Sequence, residues 1–332
     1  MKQQIATLGA GAWGTALAVL FAKNGHPSSL WGRNQNQLHT INQHRENKKY
    51  LPGITLPQSL NLTNNIHDAV KRADIVLLAV SSQGFRQTLA NVKPHIKASA
   101  KIAWATKGFE HGSYKFMHQL VAEELGQQRE MAIISGPTFA KEVAQGLATA
   151  VTVASFTKDF ALQLAELLHN ENFRAYTSND VIGVEIGGAV KNPLAIASGI
   201  ADGLGLGANT RAALITRGLV EIQRLGSALG AHPETLMGLA GLGDLVLTCT
   251  DNQSRNRRVG LALAQGNQLS TILADLGQVA EGVYAAKEVY HLAHQHKVDM
   301  PITEQVYQVL YENLSPHQAV RNLLARSLKP EY

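Results

Sequence analysis

Hydrophobic and small residues run almost unbroken from Val181 to Leu225, and Lys191 sits near the start of that run, in VIGVEIGGAVKNPLAIASG. On a helix, Gly187 and Gly188 lie one turn back from Lys191 and share its face. Residues without side chains let another body approach the amine closely. A lysine among Ile186, Val190 and Leu194 has its charged form disfavoured by desolvation, which brings lysines into range for acid–base work near neutral pH. Pro193 has no N–H for the carbonyl of Ala189, so a kink is expected there. A carboxylate to accompany the amine is offered by Gly238–Cys249 (GLAGLGDLVLTC), where Asp244 is the only charge among glycines and aliphatics. A buried carboxylate needs a partner, and Lys191 is the candidate. The plainer alternatives are a surface lysine and a helix-capping aspartate.

Three further groups of residues could bind ligands. Ser254, Arg255 and Asn256 place a hydroxyl, a guanidinium and an amide in succession at a helix start, which suits a phosphate; an ordinary cap by Ser254 is the alternative. At the other end of the chain, an apolar run from Gln4 to Leu8 leads into Gly9-Ala10-Gly11-Ala12-Trp13-Gly14 and then a helical pattern. That is strand, G-x-G-x-x-G, helix, the arrangement that lets a pyrophosphate approach a helix N-terminus. After the next strand, Ser28–Trp31, comes Arg33 with no acid adjacent to it. An acid there would take a ribose 2′-hydroxyl, whereas a guanidinium can pair a 2′-phosphate, which favours NADP(H), or simply stack on the adenine, which leaves NAD(H) open. The third group follows apolar strands: Lys107 after Lys101–Thr106, and Gly136, Thr138 and Ala140 in the turn after Ile133-Ile134.

These residues need elements to position them. Apolar segments at Asp74–Val80, Lys101–Thr106, Ile133-Ile134, Thr149–Ala154 and Phe173–Tyr176 alternate with helical ones such as Phe85–His95 and Tyr114–Leu125. The alternation predicts a doubly wound, mainly parallel α/β sheet of the Rossmann type, whose ligands sit at the carboxyl ends of the strands. Residues 46–61 read as a polar, Pro-containing connection. Ser178, Asn179 or Asp180 can cap the helix that carries Lys191. Beyond it no strand is expected, and helices are predicted over 180–202, 210–229, 233–247, 254–265, 281–297, 301–313 and 316–326. The predicted domains are 1–188, dinucleotide-binding, and 189–332, all-α and carrying the substrate chemistry.

Composition narrows the function. The 332 residues are 45% hydrophobic and 17% charged, with a net charge of +5, as in an ordinary globular protein. Basic residues are scattered, and the densest cluster, Arg255-Asn256-Arg257-Arg258, is too short for a nucleic-acid arm. No apolar run is long and pure enough to span a bilayer, so no stable membrane insertion is expected. One cysteine, Cys249, and the absence of a signal-peptide pattern make the cytoplasm the expected location. Cys249 reads as small core filling, and no cluster has metal-ligand spacing.

Taken together, GAGAWG, WATKG at 104–108, SGPTFAKE at 135–142, the long motif around Lys191, GLGDLVLTC and SRN resemble the NAD(P)-dependent glycerol-3-phosphate dehydrogenases of bacteria, over essentially the whole chain. The resemblance implies a Rossmann domain followed by a helical domain of the 6-phosphogluconate dehydrogenase-like type. It implies reversible reduction of dihydroxyacetone phosphate to sn-glycerol 3-phosphate, the backbone of phospholipids, without a metal. By that similarity Lys191 is the proton donor and acceptor at the C2 oxygen, assisted by Lys107 and Asp244. Ser254, Arg255 and Asn256 hold the phosphate, and Gly136 and Thr138 line the substrate pocket. Ala12, Trp13, Arg33, Ala140, Val279 and Glu281 resemble cofactor contacts, with Lys107 and Arg255 reaching the cofactor too. A homodimer is implied by the same similarity. On the residues alone two alternatives stay open: a 6-phosphogluconate or 3-hydroxy-acid dehydrogenase, and a nucleotide-sensing protein on this fold.

Overall fold

The computed structural model describes residues 2–328, 330 and 331, and the chain divides into two compact units, Met1–Glu185 and Ile186–Tyr332. In the first unit strands and helices alternate: β1 (Ile5–Leu8), α1 (Ala12–Lys23), β2 (Ser28–Trp31), α2 (Gln35–His44), β3 (Leu60–Thr63), α3 (Ile66–Val70), β4 (Ile75–Leu78) and α4 (Ser82–Val92). They continue with β5 (Lys101–Trp104), α5 (Met117–Leu125), β6 (Met131–Ser135), α6 (Ala140–Gln145), β7 (Thr149–Ser155), α7 (Lys158–Leu168) and β8 (Phe173–Ser178). The strands form one sheet in the order β3-β2-β1-β4-β5-β6-β7-β8. All neighbours are parallel except β6 and β7. β1 and β4 are buried at every position, which explains why they read as continuous apolar runs and not as alternating ones. Strand order reverses beside β1, where β2 lies on one side and β4 on the other. A crevice at such a switch point receives ligands in doubly wound sheets, and the glycine-rich loop leaves β1 at that place.

The second unit is built of helices: the greater part of α8 (Val181–Gly203), then α9 (Gly207–Ala228), α10 (Pro233–Met237), α11 (Asp244–Thr250) and α12 (Arg255–Ala264). After these come α13 (Leu269–Leu276), α14 (Glu281–Gln295), α15 (Pro301–Tyr311) and α16 (Pro316–Leu324). Asp180 caps α8, its carboxylate accepting from the Gly183 N–H at 2.8 Å. The helix runs on through Pro193. Glu221, fully buried on α9, does the equivalent for α15 and accepts from the N–H groups of Ile302 (2.5 Å) and Thr303 (3.1 Å) and from the Thr303 hydroxyl (2.8 Å). Its burial outweighs those three donors and pushes its pKa up to about 7.

Some sequence-based expectations are corrected. The connection over 46–61 ends in β3, an edge strand in which only Leu60 is fully buried, so it carries little apolar signal. The single helix expected over 233–247 is three pieces: α10, a π-helical turn over Leu239–Gly243, and α11. Glycine permits the break. A Cβ on Gly241 would lie 2.0 Å from the Leu236 carbonyl oxygen, so the chain folds back on itself more tightly than any side chain allows. The helix expected from Tyr114 starts at Met117, because Tyr114 has φ 60°.

Candidate active site

Lys191 lies in α8 and Asp244 opens α11, and the two meet: the Lys191 Nζ donates to Asp244 Oδ1 at 2.7 Å. Both are buried, Lys191 to 7% exposure and Asp244 to 1%. Removing one partner from such a pair leaves an uncompensated charge in the interior, at a cost of about 3–5 kcal/mol. The π-helical turn immediately before Asp244 is what delivers the carboxylate. A Cβ on Gly187 would stand 2.5 Å from the Ala240 carbonyl oxygen. Gly187 therefore leaves room for the turn that carries Asp244, a packing role that its place one helical turn from Lys191 does not reveal.

The start of α12 is bound to α8 in the same way. Gly199 on α8 and Gly260 on α12 face each other: a Cβ on Gly199 would lie 2.1 Å from the Arg257 carbonyl oxygen, and one on Gly260 2.1 Å from that of Ile196. Backbones this close bring Asn256 to Asn192, with Asn256 Nδ2 donating to Asn192 Oδ1 at 2.9 Å. The Asn256 Oδ1 in turn accepts from the Gly282 N–H of α14 at 2.9 Å. Ser254 is the N-cap, its hydroxyl oxygen accepting from the Arg257 N–H at 3.2 Å and lying 3.0 Å from the Thr248 hydroxyl. Arg257 is turned inward and buried, with Nε on the Cys249 carbonyl (3.2 Å) and Nη2 on Asp202 (2.5 Å). Arg255 keeps an exposed surface. Desolvation by the surrounding protein lowers its pKa from the ordinary guanidinium value; the Glu281 carboxylate opposes this and Arg258 adds to it. Arg257 is therefore committed to the interior, while Arg255 and Arg258 are exposed, and Arg255 is the one at the first position of the helix. Cys249 is buried and its thiol is pushed up to about 12 by that burial, which leaves it no nucleophilic thiolate.

In the first unit the glycine-rich loop has one glycine for each of three geometric needs. Gly9 has φ 122°, and a Cβ there would meet the Ala79 carbonyl oxygen at 2.5 Å. Gly14, in the first turn of α1, passes so near the Gly9 carbonyl oxygen that a Cβ would stand 2.0 Å from it. Gly11 differs, because a Cβ there would meet nothing within 4 Å. The first turn of α1, with Ala12 and Trp13, carries no acidic residue, so an anion at this N-terminus meets no opposing charge. Arg33 is exposed just past the end of β2. Lys107, Gly136 and Thr138 converge: Lys107 Nζ and the Thr138 hydroxyl both donate to the Gly136 carbonyl at 3.1 Å. Ala140 begins α6 and packs with Trp13 against the core. Val279 is exposed ahead of α14, and Glu281 is its first residue.

Comparison with known proteins decides the family. The model of the NAD-dependent glycerol-3-phosphate dehydrogenase N-terminus matches residues 4–161, and that of the C-terminus matches residues 180–321. The chain belongs to the NAD-dependent glycerol-3-phosphate dehydrogenase family. It is 53% identical to the glycerol-3-phosphate dehydrogenase [NAD(P)+] of Aeromonas hydrophila over 100% of both chains. With the enzyme of that name from Stenotrophomonas maltophilia it shares 52% identity over 99% of this chain and 96% of the relative. The crystal structure of the glycerol-3-phosphate dehydrogenase of Coxiella burnetii superposes with a TM-score of 0.95 at 49% identity, covering 98% of this chain and 99% of that one. The mainly parallel sheet and the helical second unit are the fold of this family. Among the described residues no helix is long and apolar enough to cross a membrane.

Two further residues, which a reading of sequence motifs misses, support the candidate site residues from the sides. Asn192 adjoins Lys191 and fixes Asn256, and Thr248 touches Ser254. The spacing held a trace of Thr248, which lies four residues after Asp244 and therefore on the same face of α11.

Proposed function

We propose that the chain catalyses the NAD(P)-dependent, reversible reduction of dihydroxyacetone phosphate to sn-glycerol 3-phosphate, supplying the backbone of glycerophospholipids. The observation that carries the mechanism is the buried Lys191–Asp244 pair at 2.7 Å. When bound, the nicotinamide dinucleotide supplies or accepts the hydride at substrate C2. As C2 is reduced, negative charge grows on its oxygen and has to be met by a proton. Lys191 Nζ gives that proton during reduction and takes it back during oxidation, and the Asp244 carboxylate orients the ammonium and offsets its charge. Ser254, Arg255 and Asn256 at the N-terminus of α12 receive the phosphate. Lys107, with Gly136 and Thr138, completes the substrate-binding set.

For the dinucleotide, Gly9, Gly11, Ala12, Trp13 and Gly14 form the cradle, a reading supported by Gly11, where a Cβ would meet nothing within 4 Å. Arg33 favours NADP(H) over NAD(H) through a 2′-phosphate; Lys107, Ala140, Arg255, Val279 and Glu281 are the remaining contacts of this reading. Residues 1–188 serve the dinucleotide and 189–332 the substrate chemistry. A homodimer in the cytoplasm belongs to the same reading, and a single free, buried cysteine supports a reducing compartment.

Steady-state oxidation of NADPH and of NADH with dihydroxyacetone phosphate tests the function. Turnover with either cofactor is expected, with NADPH the better. Folded protein that turns over neither would contradict it.

A further inference from the structure

The long connection between α2 and β3 places one side chain against the glycine-rich loop. Asn47 is 1% exposed. Its Nδ2 donates to the Ala10 carbonyl at 3.0 Å and to the Thr15 hydroxyl at 2.8 Å. Ala10 is the residue between the first two glycines of the loop, and Thr15 lies in the first turn of α1, so one amide group grips both sides of the bend. A second donor reaches the same carbonyl, Gln37 Nε2 at 3.0 Å from α2. The other side of the Asn47 amide is different. Its Oδ1 is buried and has no hydrogen-bond partner among the described residues. A buried acceptor left unmet is unfavourable, so fold stability alone is a poor reason for an amide at this position. The donor side carries the role.

We propose that Asn47 is a positioning residue for the dinucleotide: it holds the Ala10 carbonyl turned into the protein, so that the N–H groups of the loop and of the first turn of α1 stay aligned for the pyrophosphate. The proposal rests on the reading of this loop as the dinucleotide cradle. The peptide planes around Ala10 have freedom to rotate, because Gly9 and Gly11 flank it and impose few steric limits. Two side-chain donors on one carbonyl remove that freedom before the ligand arrives, and preorganisation of this kind reduces the cost of binding. Loss of Asn47 should therefore appear in cofactor affinity and not in the chemical step.

The test uses Asn47→Ala and Asn47→Asp, with Gln37→Ala as a second, partly exposed probe of the same carbonyl. NADPH binding is titrated directly, and kcat is measured at saturating cofactor together with KM for dihydroxyacetone phosphate. Asn47→Ala should raise the NADPH Kd tenfold or more, and Asn47→Asp more still, because a carboxylate then faces the Ala10 carbonyl. kcat at saturation and KM for the second substrate should stay within about twofold of wild type. Gln37→Ala should act in the same direction but less, and in combination with Asn47→Ala the two should be non-additive, since they share an acceptor. Variants that are folded, with an unaltered circular dichroism spectrum, and bind NADPH within twofold of wild type would overturn the proposal. If instead wild type itself binds no nicotinamide dinucleotide, the reading of the loop as the cradle fails, a result distinct from neutral variants of a binding protein. A Tm lowered with Kd unchanged would assign Asn47 to stability alone.

Discussion

In the first unit Gly11, at the tip of the glycine-rich loop, faces open space, whereas in the second unit Gly199 and Gly260 are buried against each other's helix backbone. The same residue type leaves space open in one place, where the proposed function seats a pyrophosphate, and serves helix packing in the other. The two halves of the chemistry differ in the same sense. The first unit presents backbone N–H groups at a helix N-terminus, where polar groups remain available. The second holds a fully paired charge in its interior, Lys191 on Asp244, and depends on close helix contacts to keep that pair together. In the proposed function the glycines of the second unit therefore act on catalysis through the fold, and Gly11 acts on ligand binding with little effect on the fold.

Substitutions separate these roles. Gly260→Ala should have the largest effect. A methyl group 2.1 Å from the Ile196 carbonyl oxygen forces α8 and α12 apart, and overpacking of this kind costs about 3 kcal/mol, well above the ~1 kcal/mol that alanine gains in helix propensity. Chemical denaturation measures it, and a variant as stable as wild type would show that the helices have room to spare. Next comes Arg33→Ala. It should weaken NADPH by about 1.5–3 kcal/mol, the loss of a charge-assisted hydrogen bond, and NADH much less; equal losses for both cofactors would mean that Arg33 only stacks on the adenine. Gly11→Ala should be the mildest: Tm unchanged, with dinucleotide affinity weakened roughly tenfold, about 1.4 kcal/mol. A fall in Tm without a change in affinity would remove the distinction between the two kinds of glycine.

What the sequence made legible follows the same division. The glycine-rich loop is a local motif, with strand, turn and helix inside some twenty residues, and its reading requires no knowledge of distant contacts. The buried strands were legible for a related reason, since β1 and β4 are buried throughout and, Thr7 apart, apolar. Edge strand β3 was not, because only one of its residues is fully buried. In the second unit the important partners are far apart in sequence. Lys191 and Asp244 could be nominated as a pair only because each is an isolated charge in an apolar stretch. Nothing in the pattern around Gly187 or Gly199 reveals that Ala240 and Gly260 lie against them. Asn47 was hidden for the same reason, as a polar residue in a polar connection whose partner is the carbonyl of Ala10.

The central claim is that Lys191 moves the proton at the C2 oxygen, and single-turnover hydride transfer from prebound NADPH to dihydroxyacetone phosphate tests it most directly. Lys191→Met keeps the volume and removes the proton; Lys191→Met combined with Asp244→Asn also removes the carboxylate charge that the first substitution leaves buried. Both variants should bind NADPH as wild type does, and hydride transfer should slow by ~10²–10⁴-fold, the usual contribution of a general acid. A transfer rate within a few-fold of wild type in either folded variant would contradict the account and make Lys107 the leading candidate for the proton.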